Sequence, residues 1–250
     1  MEKLIACDPV VGLPRVCPEW YRPDKPDLFS QMDCIGVTRA LVRHRAAYEA
    51  GLIAGNTALV QTIANEERLL PMWYITPDGM EPDYDPEKMI ATFLARGTCA
   101  FWADPKEEGF SILPWCSGPL YEVLVQRRLP LFLDFKKVEA DDLDVVLSAF
   151  PELRLVLFGV PRLGRHRLVY PLLKRHASLH LVLSYTYSVH WGIEDLCRSF
   201  GHARWVFGMG YPEAEVGASL TGLTYAGISD DAKEAIAWGN VERLLSEVVL

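Results

Sequence analysis

The sequence lacks the features that mark membrane-spanning proteins and proteins with structural zinc. Its six cysteines include no C-x-x-C pair and no Cys/His spacing of the structural zinc type. The first residues lead directly into a strand-like apolar run, without a long apolar segment or a small-residue cleavage site. No later stretch approaches the ~18 uninterrupted apolar residues that cross a bilayer. We therefore expect a cytoplasmic protein with reduced thiols and no membrane partner.

Positive charge is scarce as well, since 25 Lys and Arg oppose 33 Asp and Glu and give a formal net charge of −8. A nucleic-acid surface needs a basic stripe, and none is present, so no nucleic-acid partner is expected. Half of the 250 residues are hydrophobic, which excludes disorder and is enough for a large core. No linker rich in Pro, Gly or Ser divides the chain. We predict one domain, residues 1–250, with a small molecule as its partner.

Short aliphatic runs alternate with stretches of helical spacing along the whole chain. The predicted strands are 3–8, 38–43, 69–75, 98–103, 129–134, 153–159, 179–185 and 204–208. The predicted helices are 26–35, 55–66, 85–96, 117–127, 140–149, 166–177 and 192–200, with a closing helix from Ser229 that breaks at Gly239-Asn240 and resumes through Leu245. Eight such units in 250 residues predict an α/β fold, a single and distorted TIM (β/α)8 barrel. A doubly wound sheet that binds a nucleotide is the rival, but residues 8–14 contain no glycine-rich phosphate loop.

In a TIM barrel the chemistry lies at the carboxyl ends of the strands. The polar and aromatic residues at those ends are Asp8, Arg43, His44, Thr76, Asp78, Trp102, Asp104, Lys106, Asp134, Lys136, Arg162, Ser184, Tyr185, Tyr187, His190, Tyr211 and Glu213. Asp8 and Asp134 are the strongest catalytic candidates, because a carboxylate that ends an apolar strand is costly unless it is paired or hydrogen-bonded. Capping of the following turn is an equally good explanation for both.

The other candidates have structural interpretations too. Arg43 and His44 could lie at a solvated loop edge. His190 could be a general base in an aromatic pocket or part of a surface aromatic cluster. Cys7 is predicted to be apolar filler, since the neighbouring Asp8 disfavours its thiolate.

Several segments resemble the amidohydrolase-related branch of the amidohydrolase superfamily. They are Gly36–Val42, the helix with Asn56 and Asn65 that leads to Arg68–Trp73, and Leu129–Leu133. Residues 200–212 are similar to the family's FGxxRxxFGTDYP segment, and 236–245 to its closing I..GNaxRLL helix. The order and spacing of these segments match the eight predicted units.

The resemblance implies a distorted TIM barrel with a divalent metal, often zinc, that serves hydrolysis or decarboxylation of small organic acids. It also implies that the usual ligands are replaced. The H-x-H of strand 1 falls on Asp8-Pro9-Val10, the histidines of strands 5 and 6 fall on Asp134 and Gly159, and the aspartate of strand 8 falls on Gly210. No metal ligands and no cofactor are therefore expected, although two carboxylates could still hold a Zn or Mg ion with waters.

Two functions follow from these residues. The first is a hydrolase, or a lyase or decarboxylase, that acts on a small polar or anionic organic substrate with metal-independent chemistry. Its expected catalytic residues are Asp8 and Asp134. The expected substrate-binding residues are Arg43, His44, Trp102, Asp104, Lys106, Lys136, Tyr185, His190 and Tyr211. The alternative is a catalytically inactive relative that serves as a binding or assembly subunit, and the resemblance also implies that the chain could form a homodimer.

Overall fold

The computed structural model describes residues 3–18, 21–77, 85–97, 100–160, 166–187 and 191–249. Its strands are β1 (Ile5–Ala6), β2 (Val10–Val11), β3 (Arg39–His44), β4 (Leu69–Pro71), β5 (Trp73–Tyr74), β6 (Phe101–Ala103), β7 (Leu131–Asp134), β8 (Leu155–Phe158), β9 (Leu179–Leu183) and β10 (Trp205–Phe207). Each predicted strand overlaps one of these strands, and 69–75 contains two of them, separated by Met72. β2 was not predicted.

The strands form a closed ring in which every pair is parallel. β1 pairs with β3, β3 with β4, and β5 to β10 pair in sequence order. Met72 joins the two parts, since its N–H donates to Val42 and the N–H of Trp73 donates to Ala100. The ring closes where the N–H of Cys7 donates to the carbonyl of Phe207 at 2.9 Å. β2 pairs with the end of β3. The predicted TIM barrel is confirmed.

The described helices are α1 (Lys25–Ile35), α2 (Ala46–Ile63), α3 (Pro86–Leu94), α4 (Pro105–Glu108), α5 (Pro114–Gln126), α6 (Ala140–Ala149), α7 (His166–Arg175), α8 (Gly192–Phe200), α9 (Val216–Thr224), α10 (Asp230–Glu234) and α11 (Asn240–Ser246). Four of them, α1, α3, α4 and α10, begin with a side-chain cap. Asp85 accepts a hydrogen bond from the N–H of Glu87, and Pro86 occupies the first turn, where its missing N–H is not needed. Within the described ranges, no helix is long and apolar enough to cross a membrane.

Four helices differ from the sequence prediction, and one of them, the short α4, was not predicted at all. α2 begins at Ala46 rather than 55, with a kink at Gly51, where φ is +78°. α9 was not predicted, because its polar residues and its glycines hide the helical period. The predicted break at Gly239-Asn240 is wrong: the chain stays helical through a π-helical turn at Ala235–Gly239 and runs on into α11.

Alternate residues of the strands face two separate layers of the core. Leu131 and Leu133 pack outward against the helices, whereas Phe132 between them fills the barrel interior. Cys7 lies in the same interior layer, fully buried, and burial raises the pKa of its thiol well above the ordinary value. This placement confirms Cys7 as apolar filler. Because the interior is filled by side chains, only the rim of the barrel is left for a site.

Candidate functional site

A cavity of about 410 Å³ opens at the carboxyl ends of the strands. Six of the predicted site residues line it together: Asp8, Arg43, Asp134, Lys136, Tyr185 and Tyr211. The remaining lining residues are Val10, Arg45, Tyr48, Phe158, Gly159, Ser184, Thr186, Gly210 and Glu213. The wall therefore carries three cations and three carboxylates among its described residues.

Arg43 lies near the end of β3 and is only 4% exposed. Its Nη1 donates to the phenol oxygen of Tyr48 and its Nη2 to the backbone carbonyl of Asp8, each at 2.7 Å. Its guanidinium carbon lies 4.0 Å from the ring centroid of Phe158 and 5.3 Å from that of Trp102. Arg43 forms none of the ion pairs within the described residues. The guanidinium is thus fixed by neutral groups and aromatic faces, and its charge is not paired with a carboxylate at contact distance.

Asp8 follows β1, and its two carboxylate oxygens have separate backbone partners. Oδ1 accepts the N–H of Met209 at 2.7 Å, and Oδ2 accepts that of Gly210 at 3.0 Å. Burial raises the pKa of Asp8, while the charge of Arg43 and these two N–H groups oppose the rise. Asp8 therefore ties the end of the first barrel strand to the loop after the last one.

Asp134 ends β7 and is half-buried. Its Oδ1 accepts the N–H of Lys136 at 2.9 Å, at the start of the 3-10 turn Phe135–Lys137. The predicted capping role is confirmed, and it coexists with a place in the cavity wall. Oδ2 of Asp134 has no hydrogen-bond partner among the described residues. That oxygen is free to accept a hydrogen bond from a bound molecule.

Gly159 and Gly210, where the resemblance implies lost ligands, are closely approached by their neighbours. Gly159 has φ +69°, and a Cβ on it would lie 2.6 Å from Oδ1 of Asp134. Gly210 has φ +75°, and a Cβ on it would lie 2.5 Å from the ring of Tyr185. Side chains at 159 and 210 cannot coexist with the present positions of Asp134 and Tyr185.

The donor set does not fit the divalent metal that the resemblance implies. No group of three or more His, Cys, Asp or Glu side chains in the described part of the chain could hold a metal ion. The oxygens of Asp8 already accept two N–H groups, and the three cations of the wall, Arg43, Arg45 and Lys136, balance its three carboxylates. We therefore derive no chemical step through a metal at these residues.

The tyrosines of the cavity wall are weak acids in this environment. Burial raises the pKa of Tyr185, and the carboxylates of Glu213, Asp8 and Asp134 raise it further. Burial also raises the pKa of Tyr211, whose hydroxyl donates to Oδ2 of Asp27 at 2.9 Å. These phenols act as neutral hydrogen-bonding groups.

Four predicted site residues lie outside the cavity lining. Trp102 is buried below Arg43, and its ring contacts those of Tyr74 and Tyr48 at centroid distances of 4.2 and 4.9 Å. His44 is half-buried; its Nδ1 accepts the N–H of Ala46, and burial lowers the pKa of its ring.

The other two belong to α4. Asp104 is buried at its N-terminus, where it accepts the N–H of Glu107 at 3.2 Å and lies 3.6 Å from Nζ of Lys137. Lys106 is exposed on this helix. His190, the remaining predicted residue, lies outside the described residues.

Sequence reasoning missed Arg45, Tyr48 and Thr186. Arg45 is two residues beyond Arg43, and side chains at that spacing share one face of an extended strand, which is a signal that could have found it. Its Nη2 lies 3.6 Å from Oε1 of Glu213 across the mouth. Tyr48 lies in the first turn of α2, whose early beginning was not predicted.

Comparison with known proteins agrees with this architecture. A 2,6-dihydroxybenzoate decarboxylase from Rhizobium superposes with a TM-score of 0.76 at 13% identity, covering 98% of this chain and 99% of its own. A 5-carboxyvanillate decarboxylase from Sphingomonas paucimobilis gives 0.73 at 14% identity, with 100% of both chains covered. A dihydroxybenzoic acid decarboxylase from a Polaromonas species, solved with bound manganese and 2-nitroresorcinol, gives 0.71 at 13% identity, covering 98% of this chain and 97% of its own.

Sequence comparison identifies the family. Among curated proteins no relative matched the chain. The sequence model of the family described as Amidohydrolase matches residues 29–246, which include every strand from β3 to β10 and most of the cavity wall. The chain belongs to the amidohydrolase family.

Proposed function

We propose that the cavity binds a small anionic organic molecule and is the active site of a hydrolase or lyase, decarboxylation included. The observation that carries this proposal is the buried charge of Arg43, whose hydrogen-bonding partners are a phenol and a carbonyl. A buried charge is costly when it is not paired, and the anionic group of a bound acid would supply its counter-charge. Arg45 and Lys136 add positive charge to the same wall.

The two carboxylates have different parts in this proposal. Asp134 transfers the proton, because its Oδ2 has no protein partner in the described residues. Asp8 holds the loop at Met209 and Gly210 in place, since both of its oxygens accept backbone N–H groups.

The same arrangement serves two reactions. In a hydrolysis, water attacks a carbon of the substrate while Asp134 takes one of its protons. The bond from that carbon to the leaving oxygen or nitrogen then breaks, and Asp134 returns the proton to the leaving group. In a decarboxylation, the bond from carbon to the carboxylate breaks, CO2 leaves, and protonated Asp134 gives its proton to the electron pair that remains on carbon. Aromatic acids are the first substrates to test, because the decarboxylases named above act on them.

A non-catalytic binding protein is the second candidate. The observation that favours it is the occupation of both Asp8 oxygens by backbone donors, which leaves Asp134 as the one carboxylate of the proposed pair with an unpartnered oxygen in the described structure. Such a protein would bind the acid at Arg43 without converting it.

The test is a binding and turnover panel with 2,6-dihydroxybenzoate and 5-carboxyvanillate, in the presence of a chelator. We expect Arg43→Gln to weaken binding by about 10- to 100-fold, because a charge-assisted contact is lost. Lys106→Gln, which removes an exposed cation outside the cavity, should change affinity less than about twofold.

Asp134→Asn should lower kcat by about 100-fold with little change in Kd, since general acid–base catalysis contributes on that scale. Asp141→Asn, at an exposed position in the first turn of α6, is its control. Equal affinity of the Arg43→Gln variant and the wild type would contradict the anion site. Binding that depends on Arg43 without any turnover would favour the second candidate.

A further inference from the structure

A second cavity, of about 430 Å³, lies on the other side of the 3-10 turn Tyr185–Tyr187. Tyr185 and Thr186 line the candidate active site, Tyr187 lines the second cavity, and Ser184 lines both. The outer wall of the second cavity comes from the beginning of α8 and from α9.

Ser219, on α9, is a buried polar group of this cavity whose hydroxyl has no protein partner in the described structure. Its side chain is buried, at 7% exposure, and its Oγ has no hydrogen bond to any described residue. Buried hydroxyls are nearly always hydrogen-bonded, because the loss of water is otherwise uncompensated. A hydroxyl at a cavity wall in this condition indicates a ligand that supplies the missing bond.

Aromatic side chains line the same cavity. Trp191 is 61% exposed and Tyr225 is 83% exposed, and both line the cavity. Trp191 also has φ +57°, a left-handed conformation that bulky residues adopt rarely. Large exposed rings at the rim of a cavity provide a stacking surface for a planar ligand.

The charge of the lining selects against anions. The described lining residues include no Lys, Arg or His, and their single carboxylate, that of Glu194, already accepts the N–H of Gly227 at 2.7 Å. This contrasts with the three cations of the candidate active site. The chemistry of the second cavity therefore suits an uncharged molecule.

We propose that the second cavity is a binding site for a neutral, planar aromatic molecule that carries one hydrogen-bonding group, which pairs with Oγ of Ser219. The site is independent of the proposed function, because its ligand makes no use of Arg43 or Asp134. Through Ser184 and Tyr187 its occupant would contact the same short turn that presents Tyr185 to the first cavity.

The helix α9 offers a matched pair of glycines for the test. Gly222 lines the cavity, and a Cβ on it would meet no atom within 4 Å, so the Cβ of Gly222→Leu enters open space at the cavity wall. Gly217 lies on the same helix outside the lining, and its Cβ would make only an ordinary contact, 3.7 Å from Oε1 of Glu215. Both substitutions replace a helical glycine by a good helix former, so both variants should fold.

The probe is para-fluorophenol, followed by fluorine NMR, with para-fluorobenzoate as its anionic counterpart. We expect Gly222→Leu to weaken binding of the phenol at least tenfold, whereas Gly217→Leu and Arg43→Gln leave it within about twofold. Loss of binding in Arg43→Gln would place the phenol in the first cavity and overturn the proposal, as would unchanged binding in Gly222→Leu or equal competition by the benzoate.

Ser219→Ala separates a ligand contact from a structural role. Removal of an unpartnered buried hydroxyl should raise the Tm of the free protein, while binding of para-fluorophenol weakens about fivefold or more. A lower Tm, or unchanged affinity for the phenol, would show that Ser219 has its partner within the protein and would overturn the assignment.

Discussion

At the scale of single residues, the position of Asp134 depends on the absence of a side chain at residue 159. Gly159 has φ +69°, and Oδ1 of Asp134 occupies the space next to its Cα. The sequence resemblance identified both residues as altered ligand positions. It could not show that the side chain of Asp134 fills the space that a side chain at residue 159 would need. That relation depends on the register between β7 and β8, where Asp134 lies opposite Phe158.

Gly159→Ala tests this relation, with Gly109→Ala as the matched control. Gly109 has φ +70° and nothing within 4 Å of its Cβ position, so both variants pay the same backbone strain of about 1–2 kcal/mol. Only Gly159→Ala also displaces Asp134. We expect Gly109→Ala to lose about 1–2 kcal/mol in urea unfolding. Gly159→Ala should lose about 1 kcal/mol more, because the displaced Oδ1 of Asp134 gives up its hydrogen bond from Lys136. Only Gly159→Ala should lose turnover, by about 10-fold or more. Equal turnover in the two variants would show that Asp134 does not carry the reaction.

At the scale of secondary structure, the strands were more predictable than the helices. Runs such as Leu131–Leu133 are apolar on both faces, and only a strand covered on both sides of a barrel wall buries both faces. α2 was less predictable because Gly51 interrupts its pattern with a non-helical conformation. The beginning of α2 at Ala46 brings Tyr48 to Arg43, so the missed half of this helix contains a missed residue of the site.

His180, on β9, makes the stability of the barrel depend on pH. It is buried at the end of the barrel opposite the cavity, with Nδ1 donating to the carbonyl of Ser178 at 2.8 Å. Burial lowers its pKa from 6.5 to about 4; the Ser178 carbonyl opposes the shift, and the charges of Arg243, Arg204 and Arg154 add to it. Below pH 6.5 the unfolded chain binds a proton that folded His180 does not, so stability falls as the pH falls towards 4.

Between pH 6.5 and pH 4, His180 lowers the free energy of unfolding by about 3 kcal/mol. We expect His180→Asn, which keeps a donor for Ser178, to remove that part of the pH dependence in urea unfolding. His202→Gln, at an exposed position, should leave the change of unfolding free energy with pH as it is in the wild type. If the unfolding free energy of His180→Asn changes with pH as it does in the wild type, folded His180 takes up its proton as readily as the unfolded chain.

At the scale of the whole molecule, the order of the strand and helix units could be predicted from the sequence. The residues that line the barrel mouth could be predicted only in part. Eight alternating units located the functional face, because parallel strands bring all their carboxyl ends to one side. Asp8, Arg43 and Asp134 meet there as expected. Trp102 and Asp104 also end a strand, yet the aromatic packing of the interior and the cap of α4 hold them outside the cavity lining. Such side-chain directions depend on contacts between distant segments, which strand order does not determine.

The central claim is that this member of the amidohydrolase family has an anion site built around Arg43 at the barrel mouth, where the resemblance implies a metal. Elemental analysis of the purified protein, expressed with added zinc and manganese, tests it most directly. We expect well under one metal ion per chain, with binding of the organic acid unchanged by a chelator and lost in Arg43→Gln. One zinc or manganese ion per chain that disappears in Asp8→Asn or Asp134→Asn would contradict the claim.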